Sequence, residues 1–369
     1  MKQHKNMVVI FTIALFFLTM SLLCLTKKAA PYSDSERRKL AQFPETSANR
    51  LISGQWMKDF EAYSLDQFPF RDSFRTLKAV STFYVFGQSD CNGIYLTDGY
   101  ACELEYPLKK ELLQNAADKF SFLYETYLKE TDTSLYFSII PDKNYFLAAS
   151  GGYPSMDYDS LFHFMTEQTP YMEFVDLRPF LSIEDYYRTD THWKQEALPD
   201  IASVLMTAMS TPAGSISDTS VNTLSKPFYG VYYGHSALPL SGEPLSYLTS
   251  PSMNQYIVTS YSSGKPEKKF LYDMDKAYGK DPYEMFLSGS EALITIENPD
   301  AATQKELVIF RDSFASSLAP LLASGYSKIT LIDIRYMQSS AIGQFVRFTD
   351  QDVLFLYSTL VLNNSTVLR

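Results

Sequence analysis

The sequence predicts an α/β protein: a mostly parallel sheet with helices on both faces, preceded by an N-terminal membrane-spanning helix. Three observations carry this expectation. Residues 7–26 form a nearly unbroken apolar stretch without a charge. Residues 307–310 and 328–333 are short apolar runs that bracket the helix-like Ala315-Ser316-Ser317-Leu318-Ala319, the pattern of a β-α-β unit. Short apolar runs and segments of helical period alternate over 134–209 and again over 307–357, as a parallel sheet covered on both faces requires.

Twenty helical residues at 1.5 Å each span about 30 Å, the hydrocarbon thickness of a bilayer. Lys2 and Lys5 precede this stretch and Lys27 and Lys28 follow it, so flanking charge alone does not orient it. The short N-terminal flank favours export of the bulk of the chain. Ala29-Ala30-Pro31 is a poor cleavage site, and a leucine before Cys24 suits a lipobox badly. An uncleaved signal anchor over 1–28 is expected, with a cleaved signal peptide as the alternative. A polar linker over 29–50 then leads to an α/β domain over 51–369. The expected location is the cell membrane, single-pass, with the C-terminal domain extracytoplasmic.

Within that domain, residues 56–86 carry helical spacing broken at Phe68-Pro69-Phe70, which predicts two amphipathic helices. Residues 108–129 predict a third. Residues 134–140 read as a buried strand ending in Pro141-Asp142-Lys143, and 173–177 as a second strand. Residues 197–209 resume helical spacing, with Pro199 tolerable in a first turn. Residues 211–300 are rich in Ser, Pro, Gly and Tyr, with short strand-like pieces at 228–233 and 255–261, and read as an irregular insertion that walls a cleft or makes a surface excursion. Residues 353–357 close the series.

The net charge of −10 gives no affinity for nucleic acid. No cysteine spacing suits zinc, and no cofactor is called for. Cys91 and Cys102 flank a hairpin turning at Asp98-Gly99; pairing and two half-buried free thiols both remain open. The 27 Tyr and 26 Phe suit sugar rings, yet aromatics are mainly core material and decide nothing alone.

The chemistry-bearing residues fall in two blocks, Asp190-Thr191-His192-Trp193 and Arg311-Asp312-Ser313-Phe314. Residues two apart in an extended stretch share a face, so Asp190 can hold His192 from behind. Ser313 follows a strand and precedes a helix, a common presentation of a nucleophilic hydroxyl. Ser313, His192 and Asp190 together predict a nucleophile, a general base and an orienting acid. Arg311 is a candidate anion or acceptor contact and Asp312 a helix cap.

The run Tyr186-Tyr187-Arg188-Thr189-Asp190-Thr191-His192-Trp193 resembles the signature of the DHHW protein family. Gly93-Ile94-Tyr95-Leu96, Asp98-Gly99-Tyr100, Pro141-Asp142-Lys143, Phe228-Tyr229-Gly230, Met285-Phe286-Leu287 and Asp333-Ile334-Arg335-Tyr336 resemble its other blocks in order. Gln195-Glu196-Ala197 departs from the pattern, where a glycine before the alanine is expected. The order Asp-x-His then Ser also resembles the alginate O-acetylation proteins AlgX and AlgJ, whose SGNH-hydrolase-like domain is circularly permuted. The resemblance implies that Asp190, His192 and Ser313 form a triad for acetyl transfer to a cell-wall or exopolysaccharide. It also implies that Lys143, Trp193, Tyr229, Tyr233 and Arg335 line the cleft. A membrane-bound O-acyltransferase as acetyl donor follows from topology and this analogy. A carbohydrate acetylesterase and a non-catalytic polysaccharide-binding or assembly module remain the alternatives.

Overall fold

Alternation along two neighbouring strands shows where the core sits. In a computed structural model describing residues 2–212, 218–301 and 303–369, Leu307, Ile309, Leu354 and Leu356 enter one apolar cluster. Their chain neighbours Val308, Phe310, Val353, Phe355 and Tyr357 enter another on the opposite face of the sheet. Helices Pro199–Ala208 and Ala315–Leu322 cover the first face, and Lys110–Leu123 and Tyr158–Gln168 the second. A strand buried on both faces reads as a near-continuous apolar run, and all seven residues of Asp352–Ser358 are buried, with polar side chains only at its ends and at Tyr357.

Among the described residues the sheet has eight strands: β1 Ser134–Ile140, β2 Glu173–Phe174, β3 Ile257–Ser260, β4 Glu267–Lys269, β5 Leu293–Glu297, β6 Glu306–Arg311, β7 Lys328–Ile332 and β8 Asp352–Ser358. Their order is β4-β3-β5-β7-β6-β8-β1-β2. The pairings β7-β6, β6-β8, β8-β1 and β1-β2 are parallel, as expected. Helix Ala315–Leu322 joins β6 to β7 as the anticipated β-α-β unit. Pro199 occupies the first turn of its helix, where its missing N–H costs nothing.

The insertion differs from its expectation. Residues 211–300, of which 213–217 lie outside the described residues, contribute β3, β4 and β5 as an antiparallel extension of the sheet. Ile294 and Ile296 of β5 and Val258 of β3 enter the first core cluster. The strand-like piece at 255–261 holds β3, whereas that at 228–233 leads into helix Val231–Ser236, and β4 and β5, of three and five residues, are too short for a periodic run to mark them.

Contacts divide the chain into two units, 1–92 with 233–239, and 93–232 with 240–369. The first holds the apolar helix Lys2–Thr26 and helices Gln55–Asp66 and Arg71–Val80, which break at Phe68-Pro69-Phe70 as expected. The segment read as a linker is folded within it. Tyr32–Ser33 pairs with Arg38–Lys39, and Arg38 forms a bidentate ion pair with Asp66. In the second unit, hairpin Ile94–Thr97/Tyr100–Glu103 turns at Asp98 and Gly99, both at positive φ as a tight two-residue turn demands. Cys91 and Cys102 are free thiols, and burial pushes the Cys102 thiol up to about 11.

A buried carboxyl pair lies beyond β1. Asp142 accepts from the hydroxyls of Tyr158 and Thr359, and Glu105 accepts from Asn363 Nδ2 at 3.4 Å. Burial, with Asp142 adding to it, pushes the Glu105 carboxyl from 4.5 up to about 7. Between those values the folded state holds the proton more tightly, so stability is lost as pH rises through that window. Glu105→Gln removes a penalty of at most about 3 kcal/mol. In thermal melts the variant is expected to match the parent near pH 4 and to exceed it near pH 8. Equal melting at both pH values would refute this.

Candidate active site

Ser313 owes its position to a carboxylate that never meets solvent. Asp312 follows β6 and is fully buried. Its Oδ1 accepts from Phe314 N–H at 3.0 Å and its Oδ2 from Ser358 N–H at 2.7 Å, at the carboxyl end of β8. These bonds turn the chain sharply and leave Ser313 partly exposed at the carboxyl edge of the sheet, before helix Ala315–Leu322. Asp312 therefore fixes the turn itself, whereas the helix cap position falls to Phe314. The N–H of Ser313 has no acceptor among the described residues.

Asp190 and His192 meet by a route the sequence did not predict. Residues 187–192 form a turn, not an extended strand, closed by Tyr187 N–H donating to His192 O at 3.0 Å and by a bridge between Tyr186 and Trp193. Asp190 Oδ1 accepts from His192 N–H at 3.1 Å, the local loop that aspartate favours. The same oxygen lies 2.6 Å from His192 Nδ1. Asp190 Oδ2 accepts from Val231 N–H at 2.8 Å. His192 Nε2 lies 2.7 Å from Ser313 Oγ, within the range for proton transfer. With Nδ1–H donating to Asp190, Nε2 is free to accept from the serine hydroxyl.

Other buried groups hold the two blocks together. The Trp193 indole N–H donates to Phe314 O and Ser317 Oγ, both at 3.0 Å. Gln195 Nε2 donates to Ser317 O at 2.7 Å. Trp193 is thus a buried strut and not a cleft wall. Lys143 is also buried, contrary to expectation. Its ammonium donates to Ala101 O at 2.5 Å, Tyr187 O at 2.9 Å and Arg188 O at 3.0 Å, gripping the Asp190 loop from behind. Burial lowers its pKa to about 8. Three carbonyl acceptors and the Tyr232 ring, 4.9 Å away, compensate the desolvated charge.

Gly230 supplies a close approach. A Cβ there would sit 2.4 Å from Asp190 Cα and 2.3 Å from Thr189 O. Only glycine lets Val231 N–H reach the Asp190 carboxylate. Sequence reading missed Tyr283, whose ring stacks on His192 with centroids 3.8 Å apart and planes 9° from parallel. Its hydroxyl shares a hydrogen bond with Ser317 Oγ at 2.9 Å. The block Met285-Phe286-Leu287 starts two residues beyond it, and the stack itself forms across the fold, where no local pattern records it.

The remaining candidates divide. Arg311 is buried, and its guanidinium donates to Asp312 O, Ser316 Oγ and Glu291 O, so it braces the Ser313 turn and does not face an acceptor. The alternating pleat of β6 points it inward. Arg335 forms a bidentate pair with Asp333 at the carboxyl end of β7 and keeps only partial exposure. Tyr229 is exposed, beside Gly230. Tyr233 belongs to the first unit.

No family model and no curated protein sequence matches the chain. Solved structures do. A DHHW family protein from Eubacterium siraeum superposes with TM-score 0.62 at 20% identity, over 75% of this chain and 94% of its own. Bacillus cereus PatB1 does so with TM-score 0.59 at 20% identity, over 73% and 96%. PatB1 is also known with a sulfonyl adduct, at TM-score 0.58, 19% identity and coverage of 73% and 94%. These likenesses establish a shared fold. The O-acetyltransferase domain of Pseudomonas putida AlgJ reaches TM-score 0.45 at 15% identity, over 73% and 92%, too low to bear on this chain.

A sulfonyl fluoride, which reacts with activated hydroxyls, is expected to label Ser313 once per chain, with His192→Ala abolishing the label. Gly230→Ala should slow labelling by roughly 10²-fold, because it displaces Asp190 by an ångström or more. Intact-mass and peptide mass spectrometry measure both, and unchanged labelling of Gly230→Ala would show that Asp190 does not depend on that approach.

Proposed function

We propose that this chain is an extracytoplasmic, membrane-anchored O-acetyltransferase that esterifies a cell-wall or exopolysaccharide through Ser313, His192 and Asp190. One observation carries the reading: a serine, an imidazole and a carboxylate from blocks 121 residues apart meet in a continuous chain of 2.7 and 2.6 Å contacts. The fold shared with the DHHW family protein and PatB1 supports it. So does the apolar helix ending at Thr26, whose 21 residues from Asn6 suffice to cross a bilayer.

His192 Nε2 takes the Ser313 proton as Oγ attacks the acetyl carbonyl, and returns it to the leaving group. Asp190 holds the productive tautomer and stabilises the imidazolium; its second oxygen, occupied by Val231 N–H, keeps it from turning away. Ser313 N–H, at the start of a helix whose dipole favours negative charge, is placed to receive the developing oxyanion. Tyr283 and Phe314 flank the imidazole and restrict it to one plane. A sugar hydroxyl, deprotonated by His192, then attacks the acetyl-serine and releases the enzyme.

Acetyl-CoA is cytoplasmic and the proposed site is outside, so acetyl must be delivered across the membrane. By topology and analogy, a polytopic membrane-bound O-acyltransferase is the donor proposed for that step. Water in place of the sugar would make the same site an esterase.

Ser313→Ala, expressed at the parent level, is expected to abolish polymer acetylation, measured as alkali-released acetate per sugar. Unchanged acetylation would sink the transferase reading. A rise on deletion of the chain would identify an esterase instead. The purified protein should turn over an activated acetyl ester, with His192→Ala losing roughly 10³-fold or more; absence of triad-dependent turnover would leave a silent binding module.

A further inference from the structure

We propose that residues 68–86 form a second membrane contact, with an apolar stripe seated in the outer headgroup layer beside the anchor. This rests on the reading of Lys2–Thr26 as a membrane span. Helix Arg71–Val80 continues through Ser81–Val85. Phe70, Phe74, Leu77 and Tyr84 recur at helical spacing and are 40–73% exposed. Val85 and Phe86 extend the same exposed surface.

On the opposite side of this helix Arg71 and Arg75 are turned inward, while Asp72 and Lys78 stay exposed at its flanks. Arg71 and Arg75 pair with Glu36 at 2.5 and 3.4 Å, and Ala79 is fully buried. A helix meant for water carries the reverse arrangement, with ions outward and the apolar stripe covered. An interfacial helix has its apolar stripe in lipid.

Depth points to lipid as the occupant. The span ends at Thr26, and the next residue, Lys27, holds its ammonium 3.5 Å from Gln67 O and Phe68 O. Ala30 N–H donates to Gln67 Oε1 at 2.9 Å, and Gln67 Nε2 donates back to Ala30 O at 2.8 Å. Phe68 is thereby fixed at the level where the chain leaves the hydrocarbon, and its ring meets Phe74 edge-on at 5.7 Å. Beside the stripe, a cleft of about 540 Å³ is walled by Leu65, Phe68 and Phe74 and by Arg71, Arg75 and Lys78, with Glu36, which pairs with both arginines, also in its lining, so three cations face one carboxylate. Apolar and cationic walls together suit an anionic phospholipid, its phosphate toward the cations and its chains toward the rings.

The test places one nitroxide at a time on the full chain, reconstituted in bilayers of mixed neutral and anionic phospholipid. The background is Cys24→Ser, in which buried Cys91 and Cys102 stay unlabelled. Collisions with oxygen, which partitions into lipid, are compared with collisions with a water-soluble nickel chelate. Leu77→Cys is expected to favour oxygen, as Phe16→Cys does in the anchor, while Phe180→Cys in the second unit favours the chelate. A chelate-accessible label at 77 with a lipid-exposed label at 16 overturns this proposal and leaves the anchor standing. A label at 77 immobilised and shielded from both reagents overturns it in favour of a protein partner. A chelate-accessible label at 16 removes the anchor reading, and the proposal with it.

Discussion

The Trp193 indole N–H carries the structure of the site. It is buried, it donates to Phe314 O and Ser317 Oγ, and it joins the loop bearing Asp190 and His192 to the helix behind Ser313. A buried donor must find an acceptor or lose its hydration without return. That demand specifies one relative placement of two segments separated by more than a hundred residues. Gln195 repeats the link with its amide, and its oxygen accepts from Leu248 N–H in the insertion. The contact between His192 and Ser313 is the consequence of these bonds and is too weak alone to draw the segments together.

Polar groups without solvent recur along the carboxyl edge of the sheet. Asp312, Asp142 and Lys143 are all buried, and each is saturated by backbone or hydroxyl partners. Such groups add little net stability, because desolvation offsets most of the gain. Their effect is geometric. Lys143 grips Tyr187 and Arg188, Asp312 ties the Ser313 turn to β8, and Gly230 brings Val231 N–H to Asp190. The residues that touch substrate in the proposed reaction are few, and the residues that locate them are buried charges and one missing Cβ.

The antiparallel strands give the insertion a structural role beyond that of a cleft wall. β5 pairs with β7 and β3 with β5, widening the sheet on the side away from β1. Tyr283, in the same stretch, then reaches back to stack on His192. One segment both extends the core and completes the surroundings of the imidazole.

The sequence by itself determined the α/β class, the apolar N-terminal helix, the β-α-β unit around Ser313 and the identity of the three residues that converge. Period and composition are local properties, and the strands buried on both faces write them as unbroken apolar runs. Tertiary structure decided what those residues stand on. The turn at 187–192 replaced an expected strand because Asp190 bonds its own neighbour's N–H as well as the imidazole. Lys143 and Trp193 were expected in the cleft from the family resemblance, and their acceptors come from segments far away in sequence, so their burial was not legible; Arg311 was read as an anion contact, yet it bonds Asp312, Ser316 and Glu291 within the fold. Tyr283 was silent for the same reason, and Gly230 stood only as part of a family block, with nothing local to announce its approach to Asp190. A ring stack and a 2.4 Å approach exist only between segments, and no local pattern records them.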